Sequence, residues 1–314
     1  MRVLFFGSPE FAVPSLRACL SAHAVVGVVT QPDRPAGRGQ RLTPPPVKRV
    51  AEEAGLPVLQ PPRLREPGWA ERLAELAPDV GVVAAYGQIL PRTVLSLPRL
   101  GCINLHASLL PRYRGAAPVA WAILGGESET GLTTFLMDEG MDTGPILRQA
   151  RVAIGPEETA GELAARLAVE GSHLLLETLE EWQAGRLTPI PQDGAEATLA
   201  PRLKKEDGWV RWERSAVELV NLVRAMNPWP GAVSLWEGGR LTVWRARAVK
   251  GSGHAAGTLF PVEGPLAIAT GDGGLLPLEV QPESRPRMSW EEFVRGHRVR
   301  AGARFEEIGA TAPR

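Results

Sequence analysis

Short apolar runs alternate with helical patterns through the first half of the chain. "RVLFF" (2–6), "AVVGVVT" (24–30), "DVGVVAAYG" (79–87) and "GCINLH" (101–106) are nearly continuous and apolar, with Gly, Pro or Ser close by. A strand covered on both faces needs such runs, whereas a half-exposed strand would alternate with polar residues. Helical stretches lie between them, such as 66–76 around "WAERLAELA". This rhythm predicts an α/β fold with an open, doubly wound, mostly parallel, Rossmann-like sheet.

One long helix closes that half. In "TAGELAARLAVEGSHLLLETLEEWQAGR", Thr159 and Glu162 have the spacing of a capping box. Leu163, Leu167, Leu174 and Trp182 then recur at roughly helical spacing, and Gly185 can end the helix. The following "LTPIPQDGAEATLAPRLKKEDG" has no period and reads as a linker over 187–207.

The last third has a different pattern. Ser215 and Glu218 make a second capping box, and the helix they open stops at "NPWPG", where Trp229 is expected to be buried. Short strands around tight turns follow: "AVSLW", "LTVWRARAV", "LAIAT" and "LLPLEV". They predict a small closed β-barrel, of the oligonucleotide-binding (OB-like) type. The division is therefore an α/β domain over 1–186, a linker over 187–207 and a barrel domain over 208–314.

Composition narrows the classes. A hydrophobic share of 44% and a charged share of 22% are those of a folded globular protein. No run approaches the ~18 apolar residues of a membrane helix. The opening "MRVLFFGSPEF" reads as a strand entering a loop rather than a signal peptide, so a cytoplasmic protein without a membrane partner is expected. Cys19 and Cys102 are the only cysteines, too few for a disulfide framework, and no Cys/His cluster predicts a metal. Lys plus Arg equals Asp plus Glu at 35 each, so a nucleic-acid partner must be held by local basic patches.

The candidate chemistry lies in "GCINLHASLLPRYRGAAP" (101–118). In a strand, Asn104 and His106 project to one face and Leu105 to the other. Ligands of open parallel sheets gather beyond the carboxyl ends of the strands. A carboxylate is available in "MDEGMDTGPI", where Asp142 sits in a Gly-bracketed loop. Amide, imidazole and carboxylate together suit attack on a carbonyl without a protein nucleophile. Taken singly, each of the three is more often a structural hydrogen-bonding, turn or cap residue, and spacing alone does not overturn that.

The whole string resembles the signature of the folate-dependent formyltransferase family: Asn, His, "SLLP…G" and then Asp in "DxGxDTG". "FFGSPEFAVPSL", "TQPDRPAGRGQ…TPPPVK", "AYGQILP" and "NPWPG" extend the resemblance across both domains, to the branch acting on methionyl-tRNA. It implies that Asn104, His106 and Asp142 are the catalytic trio. Ser108, Leu109, Leu110 and Pro111 match the folate-binding "SLLP", with Gly115 holding the loop after it. Leu90 matches a segment whose backbone meets the pterin. The implied donor is 10-formyltetrahydrofolate, and the implied acceptor is the α-amine of initiator methionyl-tRNA.

The stretch "QPDRPAGRGQRLTPPPVKR" (31–49) shows neither helical nor strand period and carries Arg34, Arg38, Arg41, Lys48 and Arg49. Glycines give it freedom, and arginines pair with phosphate bidentately. In the family it resembles, such a loop wedges into the acceptor end of the tRNA, which points to Arg38 and then Arg41. Lys204 and Lys205 at the end of the linker, with Arg245, Arg247 and Lys250 in the C-terminal, tRNA-binding domain, are candidate phosphate contacts. The first strand-to-loop turn lacks G-x-G-x-x-G, which disfavours a dinucleotide. Formyl transfer to glycinamide ribonucleotide or to an amino-sugar nucleotide shares the trio but not the Arg-rich loop with this second domain. A hydrolase that releases formate is a further reading of the same residues. A nucleic-acid-binding module whose first domain has lost its chemistry is disfavoured by the intact trio and "SLLP". Two domains and a large substrate are compatible with a monomer.

Overall fold

The computed structural model describes residues 1–36, 39, 41–251, 253–262, 264–306 and 308. It divides into two compact units. The first comprises Met1–Pro118, Glu129–Ala153 and Ala164–Pro201; the second comprises Val119–Ser128, Ile154–Leu163 and Arg202–Arg314.

The first unit is built on a seven-stranded sheet. Its chain begins with β1 (Arg2–Gly7) and β2 (Ala24–Val29), then a separate two-strand hairpin of β3 (Arg34–Ala36) and β4 (Arg41–Thr43). β5 (Val58–Leu59), β6 (Val80–Ala84), β7 (Cys102–His106), β8 (Glu129–Leu136) and β9 (Ile146–Ala153) follow. The sheet order is β5-β2-β1-β6-β7-β8-β9, parallel as far as β7 and antiparallel beyond it. Over the same stretch of chain the helices are α1 (Val13–Ala22), α2 (Pro46–Glu53), α3 (Trp69–Ala74), α4 (Arg92–Leu95), α5 (Pro118–Leu124) and α6 (Ala160–Gln183).

Two core clusters explain why the strands are continuously apolar. Val3 and Phe5 of β1 pack with Leu16 and Cys19 of α1, Val47 of α2 and Leu175 of α6. The intervening Leu4 and Phe6 pack on the other face with Leu73 of α3, Val94 of α4, Tyr86 and Leu90. Alternate residues of one strand thus serve two apolar layers, and neither face is left for water. Cys19 and Cys102 are buried, and burial pushes both thiols up to about 12, so they stay protonated and inert.

Residues 187–201, read as part of a linker, are held to the first unit along their length. Ile190 bridges Ile146, Leu199 bridges Arg114, and the Thr198 carbonyl accepts from the Arg114 N–H at 2.8 Å. Individual hydrogen bonds do this rather than a repeating apolar face, which is why no period is visible.

The second unit holds α7 (Ala216–Ala225), then β10 (Ala232–Trp236), β11 (Gly239–Val249), β12 (Leu259–Pro261), β13 (Leu266–Ala269), β14 (Gly274–Pro282), β15 (Met288–Ser289) and α8 (Trp290–Gly296). The antiparallel order is β10-β11-β14-β13-β12, with β15 on β14. The sheet is a curled half-barrel consistent with an OB-like domain. Isolated bridges Leu235–Glu306 and Thr258–Arg304 stand where a closed barrel would have continuous strand pairing. Trp229 departs from expectation: it is 52% exposed. The aromatic core is formed instead by Trp212, Trp236, Phe293 and Phe305. The buried member of "NPWP" is Asn227, which donates to the Trp244 carbonyl at 2.9 Å.

The helix caps read from the sequence are formed. Glu162 accepts from the Thr159 N–H at 2.9 Å, and Glu218 accepts from the Ser215 N–H at 3.0 Å. These backbone bonds, with the Thr159 and Ser215 hydroxyls and then Arg245 and Arg214, lower the two carboxyls from 4.5 to about 2. Because the folded values are depressed, the stabilisation is complete above pH 4.5 and is lost as pH falls towards 2. The urea midpoint is therefore expected to drop across that window, less steeply in a Glu162→Gln/Glu218→Gln double variant. Identical slopes for parent and variant would remove the two caps from the explanation.

Candidate active site

Strand alternation sets the first two groups. Cys102, Asn104 and His106 share one face of β7, and Cys102 packs in the same cluster as Leu90, Val94 and Met137. Leu105 faces the opposite way, where a side chain on Gly171 of α6 would collide with it at 2.8 Å. Asn104 and His106 are therefore recessed on the Leu90 face, at 8% and 6% exposure.

The third group arrives from a distance. β8 runs antiparallel to β7, so that Phe135 lies opposite Asn104, and the loop after β8 begins at Met137 in that same cluster. It carries Asp142 back until Oδ2 lies 3.7 Å from Nδ1 of His106. That distance exceeds a hydrogen bond but is within ion-pair range. The same Oδ2 accepts from the Gly115 N–H at 2.8 Å. Gly115 has φ +123°, and a Cβ there would lie 2.7 Å from the Ala200 carbonyl oxygen. No other residue fits this close approach.

The His106 tautomer follows from its neighbours. Nε2 lies 2.9 Å from the Tyr113 carbonyl oxygen, which only accepts. Nε2 must then carry the hydrogen, and the neutral ring presents its lone pair at Nδ1, towards Asp142. A proton gained by this ring goes to Nδ1 and there meets the carboxylate. The side-chain amide of Asn104 has no hydrogen-bond partner among the described residues, so its N–H groups are available to a ligand.

The "SLLP" residues form a rigid ledge beside the pair. The Ser108 hydroxyl donates to the Arg112 carbonyl at 2.6 Å, and Thr133 Oγ1 donates to the Ser108 carbonyl at 2.7 Å. Thr133 Oγ1 also accepts from the Leu110 N–H at 3.1 Å, and Gln149 Nε2 donates to the Leu110 carbonyl at 2.8 Å. Leu109 packs against Gly131 of β8, where a Cβ would lie 2.4 Å from its side chain. Leu110 and Leu90 are buried, and Pro111 follows a cis peptide bond. Sequence reasoning missed Thr133, Gln149 and the Tyr113 carbonyl. Nothing in the sequence marks a supporting hydroxyl, amide or backbone carbonyl as part of a site.

The basic residues divide. Arg38 lies outside the described residues. Arg41 stands exposed on β4, in a hairpin that three-residue strands made invisible to periodicity. Lys48 is tied to Asp33 at 2.8 Å, and Gln60 joins them at 2.7 Å, so Lys48 anchors the base of the hairpin. Lys48 first, then Gln60, lowers the Asp33 carboxyl below its ordinary value. Lys204, Lys205, Arg247 and Lys250 are exposed or partly so. Arg245 is engaged in an ion pair with Glu162, and with Arg247 it lines a cleft that also includes Arg224 and Trp244.

Comparison with known proteins places this geometry. The model of the formyl transferase family matches residues 1–179, and that of the formyl transferase C-terminal domain matches residues 202–298. The chain belongs to the formyl transferase family. It is 52% identical to the methionyl-tRNA formyltransferase of Symbiobacterium thermophilum, over 97% of this chain and 95% of that one. It is 49% identical to the methionyl-tRNA formyltransferase of Myxococcus xanthus, over 96% and 97%. Among solved structures, an N-formyltransferase from Helicobacter canadensis, in complex with folinic acid and dTDP-3-aminofucose, superposes with a TM-score of 0.66. That match covers 90% of this chain and 99% of the other at 18% identity, and so it speaks to the fold alone. Among the described residues of this formyl transferase, no helix is long and apolar enough to cross a membrane.

Proposed function

We infer that the chain transfers the formyl group of 10-formyltetrahydrofolate to the α-amine of initiator methionyl-tRNA, a step of translation initiation in the cytoplasm. The observation that carries this reading is near-50% identity to methionyl-tRNA formyltransferases over almost the whole chain, both units included. Transfer to an amino-sugar nucleotide is supported only by fold likeness.

The geometry supports a division of labour. A free α-amine has a pKa near ~8, so a substantial fraction is neutral and nucleophilic at neutral pH. Its attack on the formyl carbon creates an oxyanion, for which the unpartnered Asn104 amide supplies an N–H donor. The attacking nitrogen must then lose a proton and the departing N10 of the folate must gain one. His106 takes the proton at Nδ1, where Asp142 stabilises the imidazolium, and returns it to the leaving nitrogen. Ser108 to Pro111, Leu90 and Gly115 form the folate side of the site. No metal is required by this scheme.

On the acceptor side, Arg38 and Arg41 belong to the basic segment that meets the acceptor end. Lys204, Lys205, Arg247 and Lys250 offer further phosphate contacts. Arg245 ranks below them because its charge is already paired with Glu162.

The test is formyl transfer with purified chain, 10-formyltetrahydrofolate and charged initiator tRNA, alongside glycinamide ribonucleotide and an amino-sugar nucleotide as competing acceptors. Product on the tRNA alone is expected. In the same assay, Arg38→Ala is expected to raise KM for the tRNA while folate affinity hardly changes. Weakened folate binding with normal tRNA affinity would remove Arg38 from the acceptor side.

A further inference from the structure

Between the loop that holds the imidazole and the turn that holds the carboxylate stands one side chain, Gln192. Its Oε1 accepts from Arg114, at 3.1 Å from Nε and 2.7 Å from Nη2. Its Nε2 donates to two backbone carbonyls, Asp142 at 2.9 Å and Gly144 at 2.7 Å. Both donors and the acceptor are therefore in use, and the amide has one orientation only. Turned over, it would set an oxygen against two carbonyls and an NH2 group against a guanidinium.

Both ends of this bridge lead to the reacting groups. Arg114 lies between Tyr113, whose carbonyl accepts from His106, and Gly115, whose N–H holds the Asp142 carboxylate. Residues 113 and 114 are fixed in turn by Thr198, whose Oγ1 accepts from the Tyr113 N–H at 2.8 Å. At the other end, Asp142 has φ +55°, a left-handed conformation that aspartate tolerates better than most side chains but that marks a sharp turn of the backbone. A carbonyl at such a turn has no ladder partner, and Gln192 supplies one.

We propose that Gln192, oriented by Arg114, is a positioning residue that sets the separation of the Asp142 carboxylate from His106. The proposal rests on the reading above that these two residues work as a pair. It gives the aperiodic stretch after α6 a purpose. A displacement of the 142–144 turn by a fraction of an ångström alters the gap between His106 and Asp142, and the rate with it, while leaving the folate ledge and the basic hairpin untouched.

The test uses the full chain and steady-state formyl transfer to methionyl-tRNA. Gln192→Glu keeps the shape and the Arg114 partner but turns an oxygen towards two carbonyls; Gln192→Ala removes the bridge. Each is expected to lower kcat by about tenfold to a hundredfold, with KM for both substrates within about twofold. Combined with Asp142→Asn, Gln192→Ala is expected to cost less than about twofold further, because its effect passes through that carboxylate. A role confined to stability would lower the melting temperature while leaving kcat per folded molecule unchanged. Gln192→Glu with parental kcat, or a Gln192→Ala loss that multiplies in full on Asp142→Asn, would overturn the proposal. Parental activity in Asp142→Asn by itself would instead overturn the reading of the pair.

Discussion

Replacing His106 by alanine is expected to lower kcat by about a hundredfold to ten-thousandfold, the range of a positioned acid–base group. The attacking amine cannot finish as an amide while it keeps its extra proton, and the folate nitrogen leaves poorly as an anion. One group reaching both atoms solves both problems. His106 is suited to it because the Tyr113 carbonyl claims Nε2–H and leaves Nδ1 free to accept, with a carboxylate 3.7 Å away. His106→Ala also removes the hydrogen bond to the Tyr113 carbonyl, so kcat must be normalised to folded protein. Exogenous imidazole is expected to restore part of the activity. A normalised kcat within about threefold of the parent would exclude this role.

Asn104→Ala is expected to cut kcat about a hundredfold or more, which corresponds to ~3 kcal/mol for one oxyanion donor. KM for tRNA and folate should hardly move, because negative charge on the formyl oxygen develops only as the amine attacks. The structure favours this role because the side-chain amide is recessed, at 8% exposure, yet makes no hydrogen bond among the described residues. It sits on the same face as His106, and its N–H donors are therefore open to a ligand that enters there. Asn104→Asp, which removes the N–H donors and keeps the shape, should lose as much. A loss below about threefold in Asn104→Ala would reassign the amide to structure.

Much of this was legible in the residue order, for local reasons. Continuous apolar strands announced a sheet covered on both faces, and Val3, Leu4, Phe5 and Phe6 do divide between two cores. Thr159 with Glu162 and Ser215 with Glu218 formed the caps that their spacing predicts. Trp229 escapes this logic because hydrophobicity reports what a residue gains by burial, not whether the turn between two prolines gives it the chance.

Residue order carried what depends on neighbours along the chain: the longer apolar strands, the capped helices α6 and α7, the shared face of Asn104 and His106, and a family signature long enough to span both units. The tertiary structure alone decided which nitrogen of His106 holds the hydrogen, how Asp142 comes within reach of it, that Arg245 is already paired, and that Gln192 bridges two loops. The reason is physical. Periodicity writes itself into side-chain order, whereas these features depend on distant partners, often backbone N–H and C=O groups, which almost every residue possesses and no letter of the sequence distinguishes.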